Sequence, residues 1–179
     1  DIYSGGLSSS PSRLIEFDGH LYFVAEGPGL GAELWRTDGT LTGTVQVADI
    51  RQGSASSAPD NFVVVGDTLF FTALTNGEGR ELWKTDGTTE GTSLVRDIRV
   101  GSSDSSISNI TPFGDSIVFV ANDGVSGSEL WISDGTMDGT MLLVDLQVGT
   151  GSSSPASLTI IGDQLYFAAS VSASGRELW

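Results

Sequence analysis

Cysteine is missing from the 179-residue sequence, and histidine occurs once, as His20. The first absence excludes disulfides, thiolate zinc sites and cysteine nucleophiles; the second excludes a metal site built on several imidazoles. Positive charge is scarce: eight Lys and Arg stand against 23 Asp and Glu, a formal net charge of −15. Following a phosphate backbone takes clustered basic side chains, so nucleic acid is not an expected partner, nor is an anionic membrane surface. No apolar run approaches the ~20 residues a helix needs to span a bilayer, and membrane insertion is not expected. No leader peptide is visible, which predicts a mature chain or a part of a longer one. Nowhere do apolar residues recur with a helical period.

What is present is repetition. Glu33-Leu34-Trp35-Arg36-Thr37-Asp38-Gly39-Thr40 returns at Glu81–Thr88 and again at Glu129–Thr136. A fourth copy reaches Glu177-Leu178-Trp179, where the sequence stops. Trp35, Trp83, Trp131 and Trp179 are spaced 48 residues apart each time. A constant period of this size points to a repeat architecture. It divides the chain into residues 1–48, 49–96, 97–144 and a partial unit 145–179. Further columns are identical in all copies: Asp1/Asp49/Asp97/Asp145, Gly5/Gly53/Gly101/Gly149, Phe23/Phe71/Phe119/Phe167, Ala25/Ala73/Ala121/Ala169 and Gly31/Gly79/Gly127/Gly175.

Within each copy a Gly/Ser-rich loop precedes a short apolar run, a Gly/Asp pair and a second apolar run. Two such runs about a Gly/Asp pair read as a hairpin. Side chains alternate along a strand, so Leu21, Phe23 and Ala25 face one way and Tyr22 and Val24 the other. Both sets are apolar, which predicts sheets covered on both flanks. A third strand follows at Glu-Leu-Trp, and a fourth after Asp-Gly-Thr-x-x-Gly-Thr, as at Thr44–Ile50. Four short strands in 48 residues predict an all-β protein, a β-propeller or an arc of one, built of four-stranded antiparallel blades. The fourth copy lacks its outer strand, so the expected object is a fragment of a longer array, with closure by a strand from another chain as the rival.

Three sets of residues are candidates for chemistry. Asp38, Asp86 and Asp134 open the Asp-Gly-Thr loops. Their simplest role is a turn, in which the carboxylate accepts backbone N–H bonds and Gly takes positive φ. Their sharper role is to bind calcium, which prefers carboxylate and carbonyl oxygens. Glu33, Glu81, Glu129 and Glu177 sit inside an apolar strand and need a cation or backbone donors. Arg36 and Lys84 offer a cation in two copies only. The tryptophans are expected in the core rather than stacked on sugars. A glycosidase needs two carboxylates converging on one bond. A carboxylate repeated in every unit has the opposite pattern, so no catalytic residue is expected. His20, at a hairpin tip where other copies have Thr68, Ser116 and Gln164, has no nucleophile-elbow motif to serve.

The complete motif, Glu-Leu-Trp-x-x-Asp-Gly-Thr with Gly-Thr three residues on and Gly-Asp-x-Leu-Tyr-Phe upstream, resembles the ELWxxDGT repeats of large bacterial exported proteins. The likeness covers essentially the whole chain, with Ser133 in place of Thr and no Asp-Gly-Thr in the fourth copy. It implies a propeller-like β repeat in a secreted or cell-surface protein, beside adhesion-type modules, with no catalytic set to transfer. The expected function is a non-enzymatic structural or interaction module for adhesion, matrix or filament assembly. Its partners would be neighbouring repeats, other chains or glycans, met through the Gly/Ser loops and residues 26–30, 74–78, 122–126 and 170–174. A glycan-binding lectin and a part of a propeller hydrolase are the alternatives.

Overall fold

The computed structural model describes residues 2–3 and 6–179, and these are all-β. The repeated Asp1 and Gly5 lie outside the described residues. Three sheets are four-stranded antiparallel meanders in sequence order. The first holds β1 (Ser12–Phe17), β2 (His20–Glu26), β3 (Ala32–Thr37) and β4 (Val45–Ala48). The second holds β5 (Asp60–Val65), β6 (Thr68–Leu74), β7 (Arg80–Thr85) and β8 (Ser93–Arg96). The third holds β9 (Ser108–Phe113), β10 (Ser116–Asn122), β11 (Ser128–Ser133) and β12 (Met141–Val144). The fourth has three strands, β13 (Ala156–Ile161), β14 (Gln164–Val171) and β15 (Gly175–Leu178). Each sheet is a blade of the propeller type. The chain divides into two compact units, Asp1–Gly77 with Trp83–Leu94, and Glu78–Leu82 with Val95–Trp179.

Local chemistry accounts for the hairpins. Asp18 and Gly19 both take positive φ, 49° and 70°, which is the pattern of a type I′ turn and matches strand twist. In the other copies the order is Gly-Asp, and there only Gly66, Gly114 and Gly162 are left-handed. The first strand of each sheet carries a register shift, between Ser12 and Ile15 in β1 and between Asp60 and Val63 in β5. At that point a non-glycine residue is left-handed in every copy: Arg13, Asn61, Asn109 and Ser157, with φ of 55–58°. The irregularity belongs to the repeat and acts as a bulge that bends the strand.

Packing follows one rule in both units. In the first, Tyr22 and Leu34 on one flank of the first sheet join Leu69, Phe71 and Ala73 of β6 in a single core cluster. In the second, Leu130 meets Phe167 and Ala169. The Tyr/Leu flank of one blade thus covers the Leu/Phe/Ala flank of the next. Each fully buried large apolar side chain contributes about 1.5–3 kcal/mol. Residues Leu69–Ala73 and Ile117–Ala121 are buried on both flanks, as the alternation predicts. The first and fourth sheets depart from that expectation: Leu21 is 38% exposed and Leu178 75%. A stacked sheet stays dry on both sides only where it has a neighbour on each.

Candidate functional site

The glutamate before Leu-Trp lies on the third strand, between two apolar neighbours, and in the first three copies it is wholly buried. Its charge is met by the loop that enters the next repeat. Glu33 accepts the Ser57 N–H at 2.8 Å on Oε1, and the Ser57 hydroxyl at 2.5 Å and Ile50 N–H at 3.1 Å on Oε2. Glu81 accepts from Ser105 N–H at 3.1 Å and Ile98 N–H at 3.0 Å. Glu129 accepts from the N–H and the hydroxyl of Ser153 and from Leu146 N–H at 3.2 Å. The serine is held in turn by its own sheet, its carbonyl accepting Leu74 N–H, Asn122 N–H or Ser170 N–H at 2.8–2.9 Å. Two residues before the glutamate stands a repeated glycine, and a Cβ on Gly31, Gly79 or Gly127 would overlap the same loop at Ala55, Ser103 or Gly151. Glycine lets the loop approach, and glutamate fastens it.

The donors are not cations, and the bond does not join strands of one sheet; it joins one repeat to the next. The serine column Ser9/Ser57/Ser105/Ser153 is identical in all copies. That identity was the available signal, hidden in loops whose Gly/Ser composition reads only as turn. Burial raises the carboxyl pKa of Glu33 and Glu81, the latter to about 7, and the serine and backbone donors offset only part of it.

The Asp-Gly-Thr loops are closed circuits. Asp38 Oδ1 accepts the Thr40 N–H at 2.8 Å and the Thr40 hydroxyl at 2.7 Å. Asp86 and Asp134 do the same with Thr88 and Thr136. The Thr40 hydroxyl oxygen accepts Gly43 N–H, and the Thr44 hydroxyl donates to the Thr40 carbonyl. A Cβ on Gly43, Gly91 or Gly139 would overlap the Asp carboxylate, and Gly39, Gly87 and Gly135 have φ of 85–92°. Ser133 keeps the one atom its position needs, a hydroxyl 2.7 Å from Thr140 Oγ1. The Thr hydroxyl and N–H bonds hold the carboxyl pKa of Asp38 and Asp86 below the ordinary range. Each Asp serves its own loop, and no group of three or more His, Asp or Glu able to hold a metal ion occurs among the described residues.

Trp35 and Trp131 are 9% and 5% exposed, so their ring faces are not open to a ligand. Their indole N–H groups, like that of Trp83, have no hydrogen-bond partner among the described residues. His20 is half-buried at its hairpin tip, with Nδ1 2.9 Å from the Asp18 carbonyl oxygen. Asp123 folds its own loop by accepting Val125 and Ser126 N–H bonds. No helix of the described residues is long and apolar enough to cross a membrane.

No family model and no curated protein matches the chain. Among solved structures, the chain is similar to a thermostable family-43 glycoside hydrolase at 13% identity and a TM-score of 0.42, over 92% of this chain and 64% of that one. It is also similar to an alpha-L-arabinofuranosidase from Clostridium thermocellum at 14% identity and a TM-score of 0.31, over 91% and 61%. The chain thus spans less than two thirds of the length of these proteins. A likeness of this size says nothing about chemistry.

Proposed function

We propose that the chain is a non-enzymatic structural and interaction module of a secreted or cell-surface bacterial protein of the ELWxxDGT-repeat type. One observation supports the reading above others: the buried glutamates perform the same internal task in each of the first three copies, and so do the Asp-Gly-Thr aspartates. Catalysis requires a unique constellation of groups; here the distinctive polar side chains are spent on holding repeats together. The loops that differ between copies, residues 26–30, 74–78, 122–126 and 170–174, are the surfaces left to meet other repeats, other chains or glycans. Calcium on Asp38, Asp86 and Asp134 belongs to the same proposal as a structural ion. The test is turnover and binding on a panel of aryl glycosides and immobilised glycans. The reading expects no hydrolysis. Hydrolysis abolished by replacing one acidic residue would overturn it in favour of a propeller hydrolase; saturable glycan binding without turnover would favour a lectin.

A further inference from the structure

One position changes its chemistry inside a constant frame. Each copy enters with Asp, an aliphatic residue, two variable residues and Gly: Asp1-Ile2-Tyr3-Ser4-Gly5, Asp49-Ile50-Arg51-Gln52-Gly53, Asp97-Ile98-Arg99-Val100-Gly101 and Asp145-Leu146-Gln147-Val148-Gly149. The frame is a turn, closed where Asp49 Oδ2 accepts Gly53 N–H at 3.1 Å and Asp97 Oδ2 accepts Gly101 N–H at 3.2 Å. Its third residue therefore leaves the turn at a fixed place, whatever the side chain.

That side chain reaches the loop after the second strand of its own copy, 24 or 25 residues on. Tyr3 donates its hydroxyl to the Gly27 carbonyl at 2.8 Å. Arg51 donates Nε–H to Asn76 Oδ1 at 2.8 Å, and its Nη1 reaches the Ser56 carbonyl of the Gly/Ser loop at 3.3 Å. Gln147 Oε1 accepts the Ser172 N–H at 2.7 Å and the Ser172 hydroxyl at 3.1 Å. Both partners differ from copy to copy, and the placement of the contact stays the same. Copy three shows another solution. Arg99 runs beside Gly124, where a Cβ would stand 3.5 Å from its Nε. The loop there closes on itself: Asn122 Oδ1 accepts Gly124 N–H at 2.7 Å, and Asp123 Oδ1 accepts Val125 N–H at 2.8 Å. The loops present exposed residues, among them Glu26, Pro28, Asn76, Gly77 and Ser172.

We infer that Tyr3, Arg51 and Gln147 are positioning residues, each fixing the shape in which its own copy presents its variable loop. What a loop can bind is then set in part from outside the loop. This rests on the reading of these loops as the interaction surface. A loose loop must be ordered when a partner binds, and a loop already held need not be.

Glutamyl endopeptidase reads two of these loops separately in the whole chain, because Glu26 begins the first and Glu78 ends the second. Its cutting rate follows the population in which the loop is open. Tyr3→Phe removes only a hydroxyl; Arg51→Ala and Asn76→Ala each remove one half of the second contact. None of the three residues is fully buried, so each variant should melt like the parent. Arg51→Ala and Asn76→Ala should be cut after Glu78 about 3–10-fold faster than the parent, the loss of one hydrogen bond, with cutting after Glu26 unchanged. The double variant should add nothing to Arg51→Ala, because the two residues act as a pair. Tyr3→Phe should show the converse, faster cutting after Glu26 and the parental rate after Glu78. Parental rates at the matching glutamate, equal acceleration at both glutamates, or additive effects in the double variant would overturn the inference. The measurement needs no ligand. Failure to find any partner would therefore count against the interaction reading and leave the cutting pattern to be judged separately.

Discussion

Glu81 has two opposed influences on its carboxyl group: burial, which disfavours the charged form, and the Ser105 and backbone N–H donors, which favour it. Burial dominates and lifts its pKa from 4.5 to about 7. The folded state therefore holds more protons than the unfolded one between those values. This contribution to stability is complete below pH 4.5 and is lost as the pH rises through about 7. Its size is at most about 3 kcal/mol. Urea unfolding across this window should show stability falling with pH, and Glu81→Gln should reduce that slope; an unchanged slope would refute the assignment. The depressed pKa values of Asp38 and Asp86 act in the opposite sense and in a separate window, their contribution being lost as pH falls below the ordinary carboxylate range. Truncation is the harsher test of the junction. Glu33→Ala leaves two backbone N–H groups and the Ser57 hydroxyl without their acceptor, and should cost about 3 kcal/mol or more. In the loops, Gly91→Ala drives a methyl into the Asp86 carboxylate and should lower the melting temperature. Adding Asp86→Ala should cost less than the sum of the two single changes, a coupling that a double-mutant cycle reads directly.

At the scale of the element, the meander is written in local chemistry. Apolar alternation produces the strands, and Gly/Asp pairs close the hairpins. The cross-strand pair Phe23 and Trp35 shares a flank as period two requires. The left-handed residues do not come from composition. Ser10, Ala58, Ser106 and Ser154 have φ of 43–54°, just before the first strand of each sheet. An L-residue pays about 1–2 kcal/mol in that region, and nothing in a serine or an alanine advertises it. In two copies the conformation goes with a bond to the preceding repeat, Ala58 N–H reaching the Ala32 carbonyl and Ser154 N–H the Ser128 carbonyl, each at 3.0 Å, whereas the Ser10 N–H goes to the Ser8 hydroxyl. Ala58→Gly should therefore stabilise the protein by up to about 1 kcal/mol, less what glycine loses in the unfolded chain. A destabilised variant in urea titration would show that the backbone is at ease there.

For the whole molecule, a net charge of −15 on 179 residues opposes compaction. Added sodium chloride should raise the melting temperature, because exposed charges are screened over about 10 Å at 0.1 M. Calcium chloride at matched ionic strength separates screening from binding: an extra rise that Asp38→Asn, Asp86→Asn and Asp134→Asn together abolish would establish calcium in the loops, and equal curves would remove it. The 48-residue unit, its four strands and its two apolar flanks follow from the sequence alone, because strand alternation and turn preference act between near neighbours. The task of each carboxylate was decided only in three dimensions. Glu33 finds its donors 17 and 24 residues away, in a loop whose composition signals nothing but a turn. The same holds for the open flanks at Leu21 and Leu178: burial depends on which surfaces meet, and one-dimensional order does not contain that.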